Sequence, residues 1–119
     1  IIEDASKDEA PDVRAAALRS IASRADGQTG SEIVKDALRD SDPTVRSSAA
    51  RTAGVLKIEG VWTVLRNLLT DQSAEVRLNA LRALHRIDET NASVLPEIET
   101  LREDPESRVR RLAERMTQP

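Results

Sequence analysis

The chain has 119 residues, a formal net charge of −3, no cysteine and Trp62 as its one aromatic side chain. That composition excludes a disulfide frame and a thiolate metal site, and it supplies no bulk positive charge for holding a polyanion. With four Gly, five Pro, 33% charged and 39% apolar residues, it also speaks against a turn-rich β-sandwich; a core of Ala, Val, Leu and Ile suits closely packed helices in one domain.

In chain order, "DEAPDVR" (8–14) opens a helix expected over about 12–24, "ADGQTG" (25–30) reads as a connector, and a helix over about 29–39 follows. It leads into "DSDPTVR" (40–46) and a helix over about 44–57. The same order then recurs, with helices over about 59–70 and 75–87 flanking "DQSAEVR" (71–77). "DETNAS" (88–93) reads as a second connector, before helices over about 95–103 and 106–117 that flank "DPESRVR" (104–110).

The valines of these four turns, Val13, Val45, Val76 and Val109, are separated by 32, 31 and 33 residues. A period near 30 residues is the mark of a solenoid built from units that cannot bury their apolar faces alone. With each Val set to zero, position +4 is Ala17, Ala49, Ala80 and Ala113, and +8 is Ile21, Ala53, Leu84 and Thr117. Upstream, −11 is Ile2, Val34, Leu65 and Ile98, and −8 is Ala5, Ala37, Leu68 and Leu101. Both sets have helical spacing, so each unit is a helix, a turn carrying the motif, and a second helix. Asp42 is placed to cap the second helix with Pro43 at its first position, and Pro11 and Ser73 fit the same scheme. In the last copy Pro105 directly follows Asp104, which shifts the expected helix start earlier.

Helix pairs of this length, with D-x-x-P-x-V-R at the turn and an Ala-rich second helix, resemble HEAT-like repeats (armadillo-type) of the short bacterial kind, over the whole chain. The resemblance implies an all-α, right-handed α-solenoid of about four helix-turn-helix repeats, near 1–26, 27–57, 58–88 and 89–119, the first incomplete. "VRLNALRALHRID", Leu95-Pro96 and "VRRLAERM" are also similar to the C-terminal helical tail of some bacterial secreted sulfatases, although no sulfatase catalytic residues are present. Because the chain starts at Ile1 mid-helix, and the last unit turns polar at Glu114 and Thr117 as a capping repeat would, it is expected to be the C-terminal part of a longer protein.

Two arginine columns separate by angle. A helix advances about 100° per residue, so Arg at +1 falls at the edge of the apolar arc while Arg at +6 falls on the opposite side, near 240°. The first column is Arg14, Arg46, Arg77 and Arg110, where an unpaired charge is costly. Asp8, Asp40, Asp71 and Asp104 are its obvious partners, within a unit or between neighbours, and the resemblance implies such an Asp/Arg ladder. The second column, Arg19, Arg51, Arg82 and Arg115, must face solvent; in a HEAT-like stack it lines the concave side, with Arg86, Arg111 and His85 extending the patch. Residues 12–26, 43–57, 75–88 and 105–118 carry 13 Lys and Arg against 6 Asp and Glu, the remainder 5 against 15. One layer is basic, the other acidic. A solvated helix face accounts for such a column, and so does a groove that docks an acidic peptide, a neighbouring domain or a sulfated glycan.

His85, the single histidine, has no Cys, second His or carboxylate at ligand spacing, so no metal and no cofactor is expected, and no nucleophile–base constellation stands out. Nucleic acid is disfavoured because no aromatics interleave with the basic column. No apolar run approaches the roughly 18 residues that cross a bilayer, so a soluble chain is expected, cytoplasmic or, with a sulfatase, periplasmic or secreted. The expected role is a non-catalytic interaction or scaffolding module. The alternative is an accessory domain of a larger hydrolase such as a sulfatase, and an enzyme in its own right, like the lyases that share this repeat type, ranks third.

Overall fold

The computed structural model describes residues 10–24 and 28–118. In chain order its helices are α1 (Pro11–Arg24), α2 (Gln28–Ala37), α3 (Pro43–Leu56), α4 (Trp62–Asn67), α5 (Ala74–Ile87), α6 (Glu89–Ser93), α7 (Glu97–Leu101) and α8 (Ser107–Met116). A 3-10 turn, Leu68–Thr70, continues α4, and no strand occurs among the described residues.

The turns start the second helices by satisfying N–H groups that have no partner inside the helix. Asp42 accepts the Thr44 N–H at 2.8 Å, with Pro43 at the first helical position. Ser73 accepts from the Val76 N–H, and Glu106 from the Arg108 N–H. The early start expected at Pro105 does not occur. Pro105 stays in the turn, Glu106 takes over the cap, and Val109 is the third helical residue of α8, as Val13, Val45 and Val76 are in α1, α3 and α5.

Both expected connectors hold helix. Gln28, Thr29 and Gly30 belong to α2. "DETNAS" contains α6, because the Asp88 side chain accepts the Asn91 N–H and Ala92 is fully buried. The first helices are shorter than the apolar pattern suggests. Gly60, at φ +80°, and Val61 precede the start of α4 at Trp62, and α7 ends at Leu101.

Packing follows the columns. Ala17, Ala49, Ala80 and Ala113 are buried, as are Ile21, Ala53 and Leu84 at +8, and Val34, Leu65 and Ile98 at −11. Thr117 is half-buried and Glu114 exposed. Val45, Val76 and Val109 are inaccessible, whereas Val13 is 39% exposed. Ile2 and Ala5 lie outside the described residues. Trp62 is partly buried against the core. The second helices form one layer in which α1 meets α3, α3 meets α5 and α5 meets α8, while α2, α4 and α7 pack on α3, α5 and α8 from the other side. This two-layer stack is an α-solenoid.

The tightest point lies between α3 and α5. A Cβ on Gly54 would stand 2.7 Å from Ala83 Cα and 2.9 Å from Ala83 Cβ, so only a glycine lets the two backbones approach this closely. Gly54→Ala is expected to lower stability by about 1–3 kcal/mol in urea unfolding, the range for overpacking a close-packed core, even though alanine is the better helix former. A neutral or stabilised variant would contradict this contact.

Candidate functional site

The +1 arginines join successive units. Arg14 donates to both carboxylate oxygens of Asp40 (2.8 and 2.9 Å), Arg46 to both of Asp71 (2.9 and 3.1 Å), and Arg77 to both of Asp104 (2.7 and 3.0 Å). Each fork uses Nε and Nη2, the bidentate match between a planar guanidinium and a carboxylate. The remaining nitrogen turns home. Nη1 of Arg46 donates to the carbonyls of Asp40 and Ser41, that of Arg77 to Asp71 and Gln72, and that of Arg110 to Asp104 and Pro105. Each aspartate in turn accepts the N–H two residues on: Asp40 from Asp42, Asp71 from Ser73 and Asp104 from Glu106, at 2.9 Å in each case. One arginine therefore closes its own turn and grips the turn of the next unit.

These pairs are shielded: side-chain exposure is 14% and 15% for Arg14 and Asp40, 18% and 10% for Arg46 and Asp71, and 13% and 5% for Arg77 and Asp104. Burial pushes the Asp40 and Asp104 carboxyls up, but the hydrogen bonds from Arg14 or Arg77 and from the turn N–H outweigh it, and both titrate below the ordinary 3.8. Asp8 lies outside the described residues. Arg110 closes its own turn, and its Nε and Nη2 meet no described partner.

The +6 arginines behave differently. Arg51, Arg82 and Arg115 are exposed, as is Arg86, and none of the four side chains makes a hydrogen bond or ion pair with a described residue. They border three cavities on α3, α5 and α8 that share lining residues. One of about 350 Å³ lies over Gly54 and Ala83, with Asn79 at its wall and Arg51, Arg82 and Arg86 around it. A second, of about 320 Å³, is lined by Arg82, Arg111, Arg115 and Glu114, and a third, of about 450 Å³, by Arg82, His85, Arg86, Glu89 and Arg115. Arg82 is common to all three. The exposed Arg19 on α1 lines none of them, and Arg111 Nη2 donates to Ser107. His85 Nε2 stands 3.4 Å from Glu89, four residues on, so a carboxylate does lie at helical spacing from the histidine, contrary to the expectation from the sequence. Among the described residues no three His, Cys, Asp or Glu could hold a metal ion.

Three further links were not legible in the repeat pattern. Asn79, nearly buried, donates to Ser47 Oγ at 2.7 Å and so ties α5 to α3 beneath the basic face. Arg108, on α8, pairs with Glu75 at the start of α5 and with Glu106. Arg66 donates to Glu97 at 2.7 Å; the hydrogen bond holds the Glu97 carboxyl below its ordinary range, while its other oxygen, Oε1, is buried without a partner. Asn79, Arg108 and Glu97 have no like residue at the equivalent position of the other units, so no recurrence marks these links.

Stacked helix pairs clamped by an inter-unit Arg–Asp ladder define a helical repeat protein of the solenoid class. A family model for HEAT repeats matches residues 1–61 and again 32–117, and the chain belongs to the HEAT-repeat family. Such repeats generally mediate protein interaction or scaffolding and are typically non-catalytic. Comparison with curated proteins gives no match. No described helix is long and apolar enough to cross a membrane.

Two outcomes test the ladder. Arg46→Ala strands the Asp71 carboxylate and is expected to cost about 1–3 kcal/mol in chemical unfolding, with Arg46→Lys intermediate because it keeps the charge but loses the fork. Unaltered stability in Arg46→Ala would remove the ladder from the account. The second is a pH profile. A folded-state pKa below the unfolded one contributes stability that is full above the ordinary value near 3.8 and is lost as pH falls through the folded value. Asp104→Asn should thus be less stable than the parent at pH 7, and the gap should narrow as the pH falls below the ordinary value near 3.8; a gap that persists undiminished in acid would show that the charge is not what matters.

Proposed function

We propose that this chain is a non-catalytic interaction or scaffolding module that binds an acidic or otherwise anionic protein surface, on a partner or a neighbouring domain, through the exposed edge of its second helices. The observation that carries this reading is the contrast between the two arginine columns. Arg14, Arg46 and Arg77 each grip a carboxylate, whereas Arg51, Arg82, Arg86 and Arg115 are exposed with no described partner. A guanidinium in that state loses little hydration when it meets a carboxylate at a rim, and several acting together steer an anionic partner at low salt.

The reading requires that the face bind anions while the fold does not depend on it. Arg51→Ala, Arg82→Ala and Arg86→Ala combined should keep the parent's helical circular dichroism and melting temperature. The triple variant should release from an immobilised polyanion at lower salt, with affinity reduced roughly tenfold or more at fixed ionic strength. Unchanged retention with intact helicity would reject the basic face. The second reading, an accessory domain of a sulfatase-like hydrolase, rests on the sequence similarity of the second half alone; the gene sequence upstream of Ile1 decides it.

A further inference from the structure

We propose that the ligand of the basic face is an extended acidic polypeptide in a polyproline-II-like conformation, with a carboxylate at every third residue, laid across α3, α5 and α8. This rests on the basic-face reading and specifies its partner. Its basis is a match of two repeats. Packed helix axes stand about 8–10 Å apart, and α3, α5 and α8, packed in that order, carry Arg51, Arg82 and Arg115 at the same position of the repeat. A polyproline-II chain has three residues per turn and rises about 3.1 Å per residue, so residues i, i+3 and i+6 project from one side at intervals of about 9 Å. Carboxylates on that side meet Arg51 on α3, Arg82 on α5 and Arg115 on α8 in turn.

The cavities favour separate carboxylates over a uniformly charged polymer. Arg82 borders all three, so the central charge of the ligand has one obligatory partner. Between the arginines the lining changes character. Gly54, Val55 and Ala83 form an apolar floor beside Arg51, Leu112 contributes to the cavity around His85, and the carboxylates of Glu89 and Glu114 sit on the rim. Those two acids repel a chain charged at every residue but not one whose spacers there are small and apolar. The protein's own ladder shows the local chemistry, since the same guanidinium group grips carboxylates three times with both oxygens engaged.

The test uses two fluorescent peptides of equal composition, titrated with the full chain at fixed salt and followed by anisotropy. One is (Glu-Pro-Ala) repeated four times; the other carries its four Glu consecutively, followed by the same Pro and Ala residues. The spaced peptide is expected to bind about tenfold tighter than the clustered one, and that preference should collapse to under about twofold in Arg82→Ala. Because the Arg82 side chain is exposed and meets no described partner, this variant should melt with the parent. Equal binding of both peptides, lost in the Arg51, Arg82 and Arg86 triple variant, would overturn the spacing while leaving the basic face standing. If neither peptide binds but the protein is retained on a sulfated polysaccharide, the occupant is a glycan and the proposal fails. Binding to none of these probes would bring down the proposal and the basic-face reading together.

Discussion

Everything in this fold hangs on the fork between an arginine of one unit and an aspartate of the next. A helix pair about 30 residues long cannot bury its own apolar face, so the units are stable only when stacked. Apolar packing alone tolerates sliding and rotation between layers of small side chains. The bidentate contact does not, because two parallel N–H···O bonds fix distance and angle at once. Since Nη1 of the same guanidinium is bonded to two carbonyls of its own turn, the turn that begins one helix also positions the clamp on the next unit. Local structure and long-range order are thus set by one side chain.

That coupling explains why one residue type carries two roles in a single helix. Arg77 and Arg82 are separated by five residues on α5, which turns them to different sides. Arg77 is 13% exposed and committed to Asp104; Arg82 is exposed and meets no described partner. The second-helix layer is densely basic without being self-neutralising, because the acids that balance the ladder come from the turns. The excess positive charge gathers around Arg82. Asn79, Gly54 and Ala83 then matter through position: the Asn79–Ser47 bond and the close Gly54–Ala83 approach fix the distance between the helices that present Arg51 and Arg82.

The period, the helical register and the split between the two arginine columns could be read from the chain because each recurs four times, and recurrence separates signal from accident. Val45, Val76, Val109 and the alanine column are buried as their angles require. What does not recur was hidden. The helix Glu89–Ser93 has polar residues at four of its five positions and no apolar period; it exists because Asp88 caps it and Ala92 finds a buried slot, and although the cap is local, that burial is not. Pro105 pointed to an early helix start, but the cap passed to Glu106, so the register was kept by the ladder rather than by the proline. The direction of pairing was equally silent: Asp40 and Arg46 lie in one motif, yet the Asp40 carboxylate serves Arg14 and offers only its backbone carbonyl to Arg46.

Whether the two columns differ in the way the geometry requires is most directly visible in the guanidinium protons themselves. Solvent exchange of each Arg Nε–H, followed by nitrogen-15 NMR on the intact chain, separates protons held in a shielded ion pair from those facing water. Slow exchange is expected for Arg14, Arg46 and Arg77, and fast exchange for Arg51, Arg82, Arg86 and Arg115. Arg110 should exchange fast at Nε although it belongs to the motif, because its fork meets no described carboxylate. Uniform exchange across both columns, or protection at Arg82 equal to that at Arg77, would contradict the division of labour between a clamp and a docking face.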